Sequence, residues 1–245
     1  PAGPPAGVEP GGPASADEAA PLAGVYDPHD GEHYDRLIEE SEALERSEEG
    51  AGAKSAGERT RVWQLHRTYI LSQVKSGLVI IDQHVAHERI LFERALAAMR
   101  ERPWSGQQLL FPVTISLDPA ESGLLEEIAP RLKRMGLEVE PFGGREWAIR
   151  SIPSGVRVRS EEALLREILA DYRREHDLRL SPEESLAASF ACKAAIKAGD
   201  PLTLEEMNAL IDELFLTRYP FVCPHGRPVV VNLSLKELHR LFGRE

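Results

Sequence analysis

An unbroken apolar run, Gly77-Leu78-Val79-Ile80-Ile81, stops at an acid, Asp82, and the pattern beyond it changes period. The run is short, rich in β-branched residues and preceded by a Lys75-Ser76-Gly77 turn, which predicts a buried strand that delivers Asp82 to its C-terminal end. After Asp82, residues Ile90, Leu91, Ala95 and Leu96 recur at helical spacing. His84 and Glu88 stand four residues apart and so project from one face of that helix. An acid at a strand end, with an imidazole and a carboxylate one turn apart, makes half of a metal site. Helix caps or a solvated face account for the same residues equally well.

A second cluster near the other end of the chain tips this balance. In Cys223-Pro224-His225-Gly226-Arg227-Pro228, Cys and His are one residue apart on a proline-bounded segment. The chain has two cysteines, Cys192 and Cys223. With His84, Glu88 and His225 they complete a Cys/His/carboxylate set of the kind that binds zinc or a related transition metal. For Cys192 alone, a small buried helix residue is the simpler reading.

The run Asp82-Gln83-His84-Val85-Ala86-His87-Glu88-Arg89-Ile90-Leu91-Phe92-Glu93 resembles the D-Q-H-A-x-x-E-x-x-x-x-E motif of the endonuclease-type MutL family of DNA mismatch repair proteins. Ala191-Cys192-Lys193, Cys223-Pro224-His225 and Phe242-Gly243-Arg244 follow in the family's order, so the resemblance covers roughly residues 58–245. Val85 replaces the usual Ala. The resemblance implies a zinc position using Glu88, Cys192, Cys223 and His225 with His84 nearby, and a harder second metal, Mn²⁺, for the chemistry. Asp82 is then the first choice as a ligand of the catalytic metal or an orienter of its water, and Asp82, His84 and Glu88 form the catalytic set. Glu93, five residues beyond Glu88, turns away from it and reads as support for the helix or a neighbouring segment. Arg227 and Arg244 are candidates for phosphate contacts or for orienting the acids, with an internal salt bridge as the equal alternative.

Gln107-Gln108-Leu109-Leu110-Phe111-Pro112 is similar to the Q-x-x-L-x-P peptide by which MutL proteins engage the DNA polymerase sliding clamp, with Gln107, Leu110 and Pro112 as the contacts. The alternative is a loop running into a strand at Val113, its apolar residues part of the core. The resemblance further implies a homodimer, the mismatch-recognition protein MutS as a partner, and an ATPase domain outside this piece. No Gly-rich nucleotide loop is present.

Composition separates the ends of the chain. Residues 1–57 hold 13 acidic against 3 basic side chains and are rich in Pro, Gly and Ala, which predicts a disordered acidic linker, with a weak helix from Tyr34 to Arg46. The remainder is close to neutral and lacks a basic stripe, so its DNA affinity in isolation should be weak. The chain begins with Pro1 and reads as a fragment of a longer protein. It has no apolar signal segment or membrane-length run, and two distant cysteines suit a reducing compartment, hence a cytoplasmic setting.

The expected fold is α+β, a split dimerisation subdomain with an inserted regulatory subdomain. Residues 58–103 supply the first part, with strands near 61–65, 68–74 and 78–81 and a helix to about Arg100. Residues 104–180 form the insert: a strand from Val113 to Leu117, a helix capped by Asp118, a hairpin through Gly143-Gly144, and a helix from Glu161 to Arg174. Residues 181–245 return with helices from Glu183 to about Lys197 and, after a Thr203/Glu206 capping box, from Leu204 to Leu216. A strand from Val229 and a helix capped by Ser234 end the chain. The reading is therefore a metal-dependent endonuclease that nicks one strand of duplex DNA. One rival is a non-catalytic dimerisation and clamp-binding module with structural zinc. A second, a zinc hydrolase of peptides or small molecules, is disfavoured because H-E-x-x-H is absent.

Overall fold

The predicted change from strand to helix at Asp82 is the joint on which the fold turns. The computed structural model describes residues 62–175 and 181–244; the acidic stretch and its expected helix lie outside the described residues. Strands β1 (Val62–Leu65), β2 (Tyr69–Val74) and β3 (Gly77–Asp82) lead without a break into helix α1 (Gln83–Arg100). Next come β4 (Gly106–Ser116), α2 (Pro119–Arg134), β5 (Glu138–Gly143), β6 (Glu146–Pro153) and α3 (Glu161–Glu175). Helices α4 (Pro182–Ala194) and α5 (Leu204–Phe215), strand β7 (Val230–Ser234) and α6 (Leu235–Leu241) complete the described chain. The architecture is α+β, with two antiparallel sheets ordered β1-β2-β3-β7 and β4-β6-β5.

Helix α1 belongs to both cores. Its N-terminal half sends Val85, Ala86 and Ile90 into a cluster with Ile70 and Ile81 of the first sheet and Met207, Leu210 and Leu214 of α5. Its C-terminal half sends Leu91, Phe92, Ala95, Ala98 and Met99 into a larger cluster with Ile149 of the second sheet, Leu125 of α2, Leu165 of α3 and Phe190 of α4. Each large apolar side chain buried this way contributes about 1.5–3 kcal/mol, so α1 ties the two layers together firmly.

Two elements depart from the sequence expectation. Strand β4 begins at Gly106, well before Val113, and its pairing with β6 breaks register between Gln108 and Val113. Leu110 and Phe111, in that break, are 88 % and 78 % exposed, so they are neither core nor an ordinary loop. Helix α4 stops at Ala194 rather than near Lys197, because the main chain of Ile196 and Lys197 bonds elsewhere: Ile196 to two histidines of α1, Lys197 N–H to Asp200 Oδ2 at 2.9 Å.

The outer face of the first sheet is apolar and exposed at its two margins. Trp63, Leu71, Ile80 and Val231 lie directly opposite one another across the four strands, on the face away from Ile70 and Ile81. Trp63 is 44 % exposed and Val231 52 %. Helix α6 has no buried residue and leaves Leu235 and Leu241 exposed, with Phe242 just beyond it. No helix among the described residues is long and apolar enough to cross a membrane.

The pairing of β3 with β7 depends on Gly77, where a Cβ would lie 2.1 Å from the carbonyl oxygen of Leu233. Gly77→Ala is expected to force these strands apart and cost about 1–3 kcal/mol. A urea unfolding midpoint equal to wild type would refute that account of the contact.

Candidate functional site

The site grows from the first turns of α1. Asp82 is the N-cap: its Oδ1 accepts from the N–H of His84 at 2.9 Å and of Val85 at 3.0 Å. The next side chain, Gln83, is fully buried in a pocket of carbonyls. Its Nε2 lies 2.8 Å from Arg67 O, 3.0 Å from Lys197 O and 3.1 Å from Asp200 O, while its Oε1 accepts from Gln64 Nε2 at 2.6 Å. Arg67 and His66 sit at left-handed φ values of 52° and 49°, sparsely populated by residues other than glycine. That turn is held because Arg67 O also accepts from Gly199 N–H at 2.7 Å, and Thr68 O from Gln83 N–H at 3.0 Å. The β1–β2 turn, the start of α1 and the segment after α4 are thereby joined.

One residue's main chain then orients two imidazoles. Ile196 C=O lies 2.8 Å from His84 Nδ1, and Ile196 N–H donates to His87 Nδ1 at 2.9 Å. A carbonyl only accepts, so His84 carries its proton on Nδ1, and in the neutral ring Nε2 keeps a lone pair. For His87 the order is reversed: Nδ1 accepts and Nε2 bears the proton. Burial, reinforced by the charges of Arg94, His84 and Lys197, lowers the His87 pKa to about 4, so this ring is neutral at physiological pH. His87, Ile196, Lys197 and Asp200 line a cleft of about 830 Å³ that Arg159 and Leu210 also border.

One turn on, Glu88 is buried with 0 % exposure. Its Oε1 lies 2.6 Å from His225 Nδ1, and its Oε2 accepts from the Arg227 guanidinium at 2.6 Å with His84 Nε2 3.8 Å away. Burial pushes this carboxyl up, but the His225 hydrogen bond and the charges of His225, Arg227 and His84 outweigh it and leave the pKa below the ordinary value. Cys223 is buried beside them. Burial raises its thiol and Glu88 opposes ionisation, yet the hydrogen bonds from His225 and Arg227 leave it lowered overall. Donor atoms of Glu88, Cys223 and His225 all lie within 4.8 Å of one another.

The segment that supplies Cys223 and His225 is itself held from α1. Glu93 accepts from the N–H groups of Arg218 at 2.7 Å and Tyr219 at 3.2 Å. Arg89 donates through Nε to Val222 O at 2.5 Å and stacks against Phe92 and Tyr219. Beyond it the chain closes tightly, with Gly226 at φ 81°, Cys223 N–H donating to Arg227 O, and Arg227 N–H reaching the Cys223 sulfur at 3.4 Å.

Of the residues singled out from sequence, the structure gathers Glu88, Cys223, His225 and Arg227, with His84 alongside. Asp82 is engaged as a cap. Cys192 is half-buried on α4, its carbonyl accepting from Lys197 Nζ at 2.8 Å, and its thiol is not in the 4.8 Å group. Glu93 holds the 218–219 main chain, and Arg244 is exposed after α6 with its N–H on His239 O. Gln107, Leu110 and Pro112 lie on β4 around the register break. Sequence reasoning missed Gln83, His87 and the Ile196 main chain. Only a polar Gln directly behind the cap hinted at a carbonyl-lined pocket; backbone groups leave no trace in residue identity.

Fold and cluster together define an α+β domain with a partly exposed apolar sheet face and a Glu/Cys/His set of metal-ligating character, buried at Glu88 and Cys223. The family model described as "MutL C terminal dimerisation domain" matches residues 62–202, and the chain belongs to the MutL family. It is 42 % identical over 230 residues to the DNA mismatch repair protein MutL of Chlorobaculum parvum, covering 91 % of this chain and 37 % of that protein. It is 49 % identical over 185 residues to that of Chlorobaculum tepidum (75 % of this chain, 30 % of the relative) and 44 % over 217 residues to that of Chloroherpeton thalassium (88 % and 33 %). The chain thus spans about a third of the length of the curated relatives it matches.

The depressed His87 pKa carries a pH dependence. Between about 6.5 and about 4 the unfolded chain binds a proton at His87 that the folded chain excludes, so stability falls as pH drops through that window. The loss reaches about 3 kcal/mol at the acid end. Urea unfolding across this range is expected to show that loss in wild type and a smaller one in His87→Asn; parallel curves would remove His87 as its source.

Proposed function

We propose that this chain is the C-terminal, metal-dependent nicking region of a MutL mismatch repair protein. The observation that carries the reading is the convergence of buried Glu88 and Cys223 with the solvent-facing His225 within 4.8 Å, with His84 Nε2 beside them. Thiolate, imidazole and carboxylate together suit zinc. His84 already donates its other ring proton to a carbonyl, the outer arrangement expected of a metal-ligating histidine. Glu88, Cys223, His225 and His84 would hold the zinc ion, with Mn²⁺ at a second, harder position near His84 and Asp82. Bound metal would supply a water nucleophilic at neutral pH and neutralise charge on the scissile phosphate. The chain's own residues do the rest. Arg227 balances the Glu88 charge, Asp82 holds the helix start in place, and the Ile196 carbonyl fixes the His84 ring.

The apolar outer face of the first sheet and the exposed residues on and after α6 support a symmetric homodimer through that sheet. The exposed Leu110 and Phe111 at the β4 register break support docking of Gln107, Leu110 and Pro112 in the groove of a sliding clamp, which would bring DNA to a nearly neutral surface. Dimerisation with structural zinc and no chemistry is the competing reading, and the same apolar sheet favours it equally.

Asp82→Asn separates the two. Asn caps a helix as well as Asp, so folding, dimerisation and zinc content are expected to persist while the negative charge is lost. In the full-length protein, manganese-dependent nicking of supercoiled plasmid should then fall at least tenfold. Nicking within twofold of wild type would end the assignment of Asp82, and absence of nicking by wild type would favour the structural module. For the clamp, replacing Gln107 and Leu110 by Ala should abolish clamp-stimulated nicking while dimer mass and zinc content stay unchanged; surviving stimulation would move the tether elsewhere.

A further inference from the structure

The motif residue between the cap and the first histidine, Gln83, has no chemistry of its own, yet it is as fully enclosed as Glu88. Gln83 Nε2 faces three carbonyls, and two of them, Lys197 O and Asp200 O, belong to the segment that begins with Ile196. Carbonyl groups accept and never donate, so this pocket demands a donor. A glutamate there would set an anion against three oxygens, and an apolar residue would strip one donor from each, leaving Arg67 O to Gly199 N–H, Lys197 O to Asp200 N–H and Asp200 O to Gln64 Nε2. Helix α4 ends at Ala194, so no helical hydrogen bonding fixes the segment from 196 to 200. Its attachments to α1 are Gln83, acting on Lys197 O and Asp200 O, and the two imidazoles, acting on Ile196.

We propose that Gln83 is a positioning residue for His84: by holding the 197 and 200 carbonyls, it sets the Ile196 carbonyl that keeps His84 Nδ1 protonated and aims the bare Nε2 at Glu88. Without that anchor the segment keeps Gly199 N–H on Arg67 O and Gln64 Nε2 on Asp200 O but loses both bonds from Gln83, so Ile196 C=O can shift from the ring and His84 can place its proton on Nε2. The lone pair would then face away from Glu88 and be lost to any metal held there. This inference rests on the metal-site reading above, but its first consequence, the ring's tautomer, exists in metal-free protein.

The test uses the whole chain. In metal-free protein, two-bond ¹H–¹⁵N spectra of the histidine rings distinguish a protonated from a bare nitrogen. Wild type is expected to show His84 as the Nδ1–H form and His87 as the Nε2–H form. Gln83→Met keeps volume and removes the donor. It should convert His84 to a mixture of tautomers and lower Zn²⁺ affinity by 10- to 100-fold, the range for loss of an outer partner of a ligating histidine. Ser151→Ala is the control: it removes a buried hydrogen bond to Gly136 O and a half-buried one from Glu138 N–H in the second sheet, and should cost stability without moving either reading. If Gln83→Met does not fold, Gln83→Asn, with its amide retracted by one methylene, is read in the same way. An unaltered His84 tautomer with unaltered zinc affinity in the folded variant overturns the proposal and makes Gln83 a packing residue. A changed tautomer in a chain that binds no zinc, even as wild type, supports the positioning role while refuting the metal reading.

Discussion

A carboxylate shut off from water is the constraint to which the rest of this domain answers. Glu88 sits within α1 with no solvent exposure. Breaking a buried ion pair and leaving one charge unmatched costs about 3–5 kcal/mol, comparable to much of a small domain's stability. Its compensation comes from far along the chain: His225 and Arg227 arrive from a segment almost 140 residues later, and His84 from one turn earlier. That segment must cross the helix at a set height, which the Glu93 clasp on residues 218 and 219 and the Arg89 bond to Val222 enforce. Three acids spaced along or just before one helix thus have three distinct tasks: Asp82 starts it, Glu88 gathers the cluster, and Glu93 guides the chain that completes the cluster.

The same helix explains why the two sheets cannot be treated as separate bodies. Val85 and Ile90 are buried in one core, Leu91 and Met99 in the other. A rotation of α1 that improved packing on one side would displace side chains on the other, and would swing His84, Glu88 and Glu93 with them. The site is therefore as rigid as the packing on both sides of its carrier.

Much of this was legible from the residues. The abrupt end of the apolar run at Asp82, the i,i+4 spacing of His84 and Glu88, and the Cys-x-His segment led directly to three of the gathered donors. Capping residues at Asp118, Thr203 and Ser234 marked helix starts correctly, because a cap acts on the three residues beside it. What stayed hidden depended on long-range backbone bonding. The early end of α4 follows from Ile196 being claimed by His84 and His87, more than 100 residues away. Helical periodicity through Lys197 carries no record of that competition. Cys192 differs in kind: its residue type matches the chemistry, and its place on α4 sets the thiol outside the compact set of three. The long β4 was missed because its register break at Leu109 to Pro112 interrupts the alternation that marks a strand.

That interrupted strand also bears on how the molecule avoids its neighbours. β4 is the edge of its sheet, and an edge displaying Leu110 and Phe111 would ordinarily invite another chain to extend the ladder and start aggregation. Here the register break removes regular spacing, and Pro112 has no N–H to offer an incoming strand. A partner can engage the apolar side chains only by fitting their shape; it cannot simply add itself as a further strand. The irregularity converts a sticky border into a selective one.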